Sequence, residues 1–233
     1  MTNSHTLSIV MQPSSRAITQ NQKQLRRESI LAVALARFAD TPYDELIMDD
    51  IASDAEVAKG TLYLYFRSKE ELFLALYEHE LGRWFDELDA SLEKNRSGAS
   101  FDSVVQLMGA SLKERPAFLR LMAILHTVLE RNLDHDTALR FKTNLRDRVL
   151  HSGARLEACL PFLRPGQGAD LLLKINALVI GFQHLAEPSK VMTEVLKKPG
   201  LALFRVDLTE QLLGTLRLLL MGLAYQAKYG HEK

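Results

Sequence analysis

The sequence predicts an all-α protein with a small N-terminal three-helix unit and a larger C-terminal helical domain. Three observations lead to this fold class. Apolar residues recur at steps of three and four along most of the chain, no alternating strand pattern of useful length occurs, and prolines separate the periodic segments. The 233 residues are 47% hydrophobic and 25% charged, so the chain has enough apolar material to form a core.

The first domain is predicted to span residues 23–68. Residues 1–22 are polar and aperiodic, which indicates a flexible tail, and the first helix then begins near Gln24. Two short helices follow at about 48–55 and 58–64.

The second domain is predicted to span residues 69–233. Ser68 has the spacing of an N-cap, with a glutamate three residues later, and it starts a long fourth helix at about 69–95 that links the two domains. The remaining helices are expected at about 100–113, 116–132, 135–160, 167–186, 189–197 and 204–228.

The charges are sorted along the chain although they sum to zero. Residues 1–27 carry basic but no acidic residues, residues 28–56 carry eight acids and one base, and residues 57–69 are again basic. A surface made from the tail and the third helix would be positive, with the acids pointing elsewhere, which suits a polyanionic partner. A solvated face of mixed charge is the alternative interpretation.

The second and third helices have the pattern of a helix-turn-helix. Small residues such as Ala52 and Ala55 allow the two helices to approach closely, and the third helix is only about two turns long. In this motif the second helix of the pair enters the major groove of DNA.

The third helix carries residue types that suit DNA. Gly60 costs about 1 kcal/mol relative to alanine within a helix, which is reasonable where the backbone must approach a partner closely. Lysine, threonine and tyrosine side chains bind phosphates or base edges, and a lysine at a helix N-terminus favours an anion. The predicted DNA-binding residues are Ala58, Lys59, Gly60, Thr61, Tyr63, Leu64, Tyr65 and Lys69.

This stretch resembles the DNA-binding domain of the TetR family of transcriptional regulators. The resemblance covers about residues 26–76 and depends chiefly on Lys59-Gly60-Thr61-Leu62-Tyr63-x-Tyr65-Phe66-x-Ser68-Lys69-Glu70-x-Leu72. It implies a homodimer that reads a pseudo-palindromic operator in double-stranded DNA. It also implies a C-terminal domain that binds a small-molecule effector, whose binding tilts helix four and releases the DNA, with repression as the default.

Three positions depart from the family pattern. Leu46-Ile47 replace the hydroxyl residues usual at the start of helix two, so we expect Asp44 or Asp49 to serve as caps or as acids there. Glu56 stands where the turn usually has glycine and would be strained if its φ is positive. Ala58 replaces the usual serine or threonine at the start of the third helix.

The segments 170–186 and 206–225 are apolar on almost all sides. A surface helix needs only one apolar stripe, so helices of this kind are buried on two sides. The sequence therefore predicts that these segments form the homodimer interface as a four-helix bundle across a two-fold axis. A central position in a monomer is the alternative.

An effector pocket is predicted among large or polarisable side chains of the C-terminal helices, because ligand pockets are mainly apolar with a few polar groups. For each of these residues, a plain core position is the alternative. The candidates are Trp84, Phe85, Met108, Met122, His126, Phe141, Phe182 and His184.

Other functions lack support in the sequence. The single cysteine, Cys159, excludes an internal disulfide and indicates the cytoplasm, and no catalytic, metal-binding or cofactor motif occurs. The N-terminus does not resemble a secretory signal, and charges interrupt apolar runs too short for the ~20 residues that span a bilayer. A helical small-molecule-binding protein or an adaptor with a head that does not bind DNA remains the alternative to a regulator.

Overall fold

The computed structural model describes residues 15–95 and 100–230, and this part of the chain is helical with no strand, which confirms the predicted fold class. The chain divides into two compact units between Phe66 and Arg67, two residues before the predicted boundary.

The first unit contains α1 (Ser15–Asp40), α2 (Met48–Asp54) and α3 (Lys59–Tyr65). Its core forms because each helix has one apolar face, and these faces meet. The fully buried side chains include Ile30, Ala34, Phe38, Ile51 and Leu62.

The predicted tail is partly wrong. Residues 1–14 lie outside the described residues, but α1 already begins at Ser15, so residues 15–22 are helical. This stretch has no proline or glycine to stop a helix, and its alanine, arginine and glutamine residues favour one.

The second unit is built on α4, a 26-residue helix whose N-cap is Ser68, as predicted. The hydroxyl of Ser68 accepts a hydrogen bond from the backbone N–H of Glu71 at 3.2 Å. The helices of this unit are α4 (Lys69–Lys94), α5 (Phe101–Lys113), α6 (Pro116–Ile124), α7 (His135–Cys159), α8 (Gln167–Ala186), α9 (Lys190–Leu196) and α10 (Leu208–Tyr229).

Helix α8 packs against α6, α7 and α10. The crossing with α7 is closest at Gly153 and Gly168, where a Cβ on Gly168 would lie 2.0 Å from the carbonyl oxygen of Gly153. Only glycine fits both positions without moving the helices apart.

The predicted helix at 116–132 is interrupted. Helix α6 ends at Ile124, a π-helical turn occupies Leu125–Leu129, and a 3-10 turn follows at Glu130–Asn132. No proline or glycine lies between residues 117 and 134, so the sequence held no signal for this break. π turns inside helices are frequent at functional sites.

Within the described residues, α8 is long and apolar enough to meet a composition test for a membrane span. This corrects the prediction that the apolar run there is too short. One face of α8 is buried in the second unit through Leu171, Leu172, Ile175 and Val179, and core helices of soluble proteins meet the same test.

Candidate DNA-binding surface and effector cavity

The turn between α2 and α3 is a Schellman motif. The backbone N–H of Val57 donates to the carbonyl of Ala52 at 3.0 Å, and that of Glu56 donates to the carbonyl of Ser53 at 3.1 Å. Glu56 has φ 53°, the left-handed conformation that favours glycine, as expected from its departure from the family pattern. The motif fixes the direction in which the chain enters α3.

Helix α3 is anchored by one residue and exposed around the rest of its surface. Leu62 is completely buried, whereas Ala58, Lys59, Gly60, Tyr63 and Leu64 are exposed. Thr61 and Tyr65 are half-buried. The predicted DNA-binding residues of this helix therefore lie largely on the surface of the first unit.

No packing contact with the described residues accounts for a glycine at position 60. A Cβ built at this position meets no heavy atom within 4 Å, and its φ is not positive. An alanine would fit and would favour the helix, so the missing side chain suits a partner that is not part of this molecule.

Neither Asp44 nor Asp49 caps α2, but Asp49 is an acid in its first turn, the other role expected of it. The N-cap of α2 is Ile47, which makes no side-chain cap hydrogen bond, and Ala58 at the start of α3 makes none either. The acids also do not all point away from α3, because Asp49 Oδ2 accepts a hydrogen bond from Lys59 Nζ at 2.8 Å. Asp49 lies in the first turn of α2 and is held by this pair, and the hydrogen bond raises the pKa of Lys59.

The first unit carries further basic groups at its surface. Lys23 and Arg26 on α1 are exposed. The guanidinium carbon of Arg27 lies 5.3 Å above the centre of the Phe66 ring, a cation–π contact that ties α1 to the end of α3.

Lys69 lies in the second unit, in the first turn of α4, and is half-buried. It follows the N-cap Ser68, so its amine lies at the positive end of the α4 helix dipole. This position suits binding of an anion such as a phosphate.

The second unit encloses an apolar cavity of about 180 Å³. Helices α4, α5, α6, α7 and α8 and the π turn all contribute to its lining. Four predicted effector residues line it: Trp84, Phe85, Met122 and His126.

Polar groups lie at one side of this cavity. The π turn presents His126, whose Nδ1 lies 3.0 Å from Glu130 Oε2, and α7 presents Lys142, whose Nζ donates to Glu130 Oε1 at 2.7 Å. Asn176 of α8 also lines the cavity. The His126 and Lys142 side chains are each about half exposed, at 47% and 49%, so this side of the cavity opens to solvent.

The other four predicted effector residues do not line this cavity. Phe141 is buried in the core, edge-on to Tyr77 with ring centres 5.9 Å apart, and Met108 is buried on α5. Phe182 is half-buried, and the exposed His184 lines a separate groove beside α9. Among residues that were not predicted, Tyr77, Lys142 and Asn176 line the cavity.

Helices α8 and α10 expose large apolar side chains within the segments predicted to form a dimer. Leu185, Leu218, Met221 and Tyr225 are each more than half exposed in the single chain. The apolar exposure continues around α9, where Val191 is 75% exposed. Apolar surface of this extent is typical of a protein interface.

Family models match both parts of the chain. Residues 30–76 match the model for bacterial regulatory proteins of the tetR family, and residues 78–227 match the model for the tetracyclin repressor-like C-terminal domain.

Curated relatives match over shorter stretches. The fatty acid metabolism regulator protein of Bacillus subtilis (strain 168) is 29% identical over 73 residues, which cover 31% of this chain and 38% of that protein. The biofilm operon icaADBC negative transcriptional regulator IcaR of Staphylococcus aureus (strain Newman) is 30% identical over 84 residues, which cover 35% of this chain and 43% of IcaR. The chain thus spans less than half the length of these relatives.

Solved structures share the fold. The fatty acid degradation regulator FadR from Bacillus halodurans has a TM-score of 0.54 at 19% identity, with 84% of this chain and 98% of FadR covered. A tetR-family transcriptional regulator from Streptomyces coelicolor has a TM-score of 0.52 at 17% identity, with 88% of each chain covered. Because the two family models together match most of the sequence, the chain belongs to the tetR family of bacterial regulatory proteins.

Proposed function

We propose that this protein is a transcriptional regulator that binds double-stranded operator DNA through α3. The observation that carries the proposal is the exposed surface of α3, anchored by Leu62 and with open space at Gly60. A helix fixed in this way can enter the major groove without moving its own core.

The residues of α3 have separate roles in this proposal. Lys59 and Thr61 bind base edges or phosphates, and the hydroxyls of Tyr63 and Tyr65 bind phosphate oxygens. Leu64 is 87% exposed and, with Ala58, offers apolar contact to thymine methyl groups. Lys69 contributes a phosphate contact from the first turn of α4.

The regulator acts as a homodimer and as a repressor in this proposal. The apolar side chains exposed on α8 and α10 support a two-fold interface through residues 170–186 and 206–225. Two α3 helices would then read the half-sites of a pseudo-palindrome about one helical turn apart. The similarity to IcaR, a negative transcriptional regulator, supports repression. Such a regulator would act in the cytoplasm.

A small-molecule effector would release the DNA. The cavity of the second unit is the candidate effector site because it is apolar with a few polar groups at its opening. For release, the effector must bind the conformation that cannot bind DNA more tightly than the conformation that can.

The test is a selection of binding sequences from a random pool of double-stranded DNA, followed by titrations of the selected duplex. We expect an enriched pseudo-palindrome and an affinity that falls steeply with salt, because several phosphates are neutralised. A helical carrier or an adaptor would enrich no sequence.

Substitutions then separate the roles of the residues. We expect Lys69→Ala to weaken binding to all sequences, by about tenfold for one phosphate contact, and Lys59→Ala and Thr61→Val to change base preference. Equal effects of all three substitutions on every sequence would contradict the assignment of α3 as the reading helix.

A further inference from the structure

The charged and polar groups of the cavity lining indicate the sign of the charge that its ligand carries. Among the described residues that line the cavity, Lys142 is the only Lys, Arg, Asp or Glu. Glu130, which bonds both Lys142 and His126, does not line it. The amine of Lys142 has further protons to donate, and the Nε2 atom of His126 remains for a ligand. Glu130 balances the charge of Lys142, but the donor of this pair reaches the cavity and the carboxylate does not, so the opening favours an anionic acceptor over a cation.

Tyr77 brings a second hydrogen-bond donor to the cavity lining. Its side chain lines the cavity and is 2% exposed. A tyrosine hydroxyl can donate one hydrogen bond to a ligand oxygen. Burial, with a smaller effect of Glu130, raises the pKa of Tyr77, so the hydroxyl stays protonated and can donate.

The size of the cavity limits the apolar part of the ligand. An apolar cavity of about 150 Å³ binds benzene, so one of about 180 Å³ accommodates a single ring with about one or two further carbons. Trp84, Phe85 and Leu112 form buried apolar walls around this space. A long alkyl chain or a multi-ring drug would not fit inside this volume unless it extended through the opening or the helices moved apart.

We propose that the cavity binds a small carboxylate whose apolar body is about the size of a phenyl ring. The carboxylate lies at the opening, where it accepts hydrogen bonds from Lys142 and Tyr77. The ring lies against Trp84 and Phe85. The π turn at Leu125–Leu129 places His126 at this opening. As an assignment of the effector class, this inference rests on the proposed function.

The test uses Trp84, the only tryptophan of the chain, as an internal reporter of the cavity. Phenylacetate, 2-phenylethanol and 2-phenylethylammonium are titrated against the full chain, and Trp84 fluorescence is followed. We expect saturable quenching by phenylacetate, with a dissociation constant lower by at least about tenfold than that of the ammonium compound. Absence of phenylacetate binding, or equal binding of the acid and the amine, would overturn the proposal.

Two variants identify the groups that recognise the carboxylate. Lys142→Met is expected to raise the dissociation constant of phenylacetate by about tenfold and to change that of 2-phenylethanol by no more than about twofold. Tyr77→Phe is expected to weaken phenylacetate by about threefold to tenfold, because one hydrogen bond is lost. The matched control is Lys174→Met on α8, which removes a half-exposed lysine that also pairs with an acid but does not line the cavity. If Lys174→Met weakened phenylacetate binding as much as Lys142→Met does, the result would contradict the assigned site.

A DNA titration separates this inference from the proposed function. If the chain binds its selected duplex but Lys142→Met does not weaken phenylacetate, the effector class is wrong and the regulator remains. If phenylacetate binds through Lys142 while no DNA sequence is selected, the site is correct and the regulatory function is wrong. Release of the duplex by phenylacetate in the native chain, lost in Lys142→Met, supports both.

Discussion

At the scale of single residues, Asp49 sets the charge beside the proposed DNA-binding surface. Its carboxylate pairs with Lys59 at 2.8 Å while both side chains remain more than half exposed. An exposed pair of this kind is weak, so a phosphate can displace the carboxylate from Lys59. The remaining negative charge still repels the DNA backbone.

Asp49→Asn should therefore tighten binding to the selected duplex. We expect a dissociation constant lower by about twofold to fivefold at low salt, with the difference shrinking as salt rises. The matched control is Asp50→Asn, which changes the charge equally in the same helical turn but whose carboxylate pairs with Arg37 at 3.6 Å. Titrations of both variants by fluorescence anisotropy measure the difference, and an equal gain in both would show that only net charge matters.

The sequence predicts individual residues well where local backbone rules decide. Glu56 has the positive φ expected of a position that usually has glycine, and Ser68 caps α4. Neither Asp44 nor Asp49 acts as a cap, one of the two roles expected of them, because α2 begins at Met48 with Ile47 as its N-cap residue. Asp49 lies inside the first turn instead, and a neighbouring lysine from α3 binds its carboxylate. That pairing depends on tertiary position, which local rules do not contain.

At the scale of helices, the beginning of α7 is fixed by Asp134. Its carboxylate accepts hydrogen bonds at 2.9 Å from both the backbone N–H and the hydroxyl of Thr137. It also pairs with Arg67 at 3.0 Å, at the first residue of the second unit. The bonds with Thr137, and to a smaller extent Arg67, lower the pKa of Asp134.

The sign of the pH dependence follows from this lowered pKa. The ionised carboxylate stabilises the fold above the ordinary aspartate pKa, and this contribution is lost as pH falls through the lower pKa of the folded state. Asp134→Ala should therefore lower the melting temperature, and the decrease should be largest at neutral pH and become progressively smaller below about pH 4.

Two further variants make this prediction specific. Asp134→Asn keeps an acceptor for the cap but loses the charge, so it should destabilise less than alanine at neutral pH. Asp136→Ala removes an acid from the same turn whose side chain is 97% exposed, and it should have a smaller effect. Thermal denaturation by circular dichroism across a pH series measures all three, and a constant difference for Asp134→Ala at every pH would contradict the linkage.

Helix ranges were predictable from periodicity and breakers, whereas the break in 116–132 was not. Prolines and glycines mark the ends of most helices, so α5, α7 and α8 begin and end within one residue of their predicted ranges. The π turn at Leu125–Leu129 has no such marker, because its register depends on packing against α4. The residues that reach the cavity from this turn were therefore only partly predictable.

At the scale of the whole molecule, only part of the cavity lining can be predicted from the sequence. Tyr77, Leu81, Trp84 and Phe85 follow one face of α4 at helical spacing, which the sequence shows. Which faces of the other helices meet that one depends on their crossing, which the sequence does not show. For this reason Lys142 was missed, and Phe141, its neighbour, was wrongly placed in the pocket.

The assembly of the molecule gives the last prediction. Leu218 on α10 is 69% exposed in the single chain and lies within the segment proposed as the dimer interface. Leu218→Glu would bury two uncompensated charges across a two-fold axis, so the dimer dissociation constant should rise by at least about a hundredfold. Sedimentation equilibrium of the native chain and the variant measures this change.

The control for this change is Leu139→Glu, which places the same charge at a 58% exposed leucine on α7, outside residues 170–186 and 206–225. It should leave the dimer intact, and both variants should keep their helical content because neither leucine is in the core. A monomer reads only one half-site, so Leu218→Glu should also lose affinity for the palindromic duplex while binding a single half-site as the native chain does. A variant that stays dimeric would place the two-fold axis on another surface.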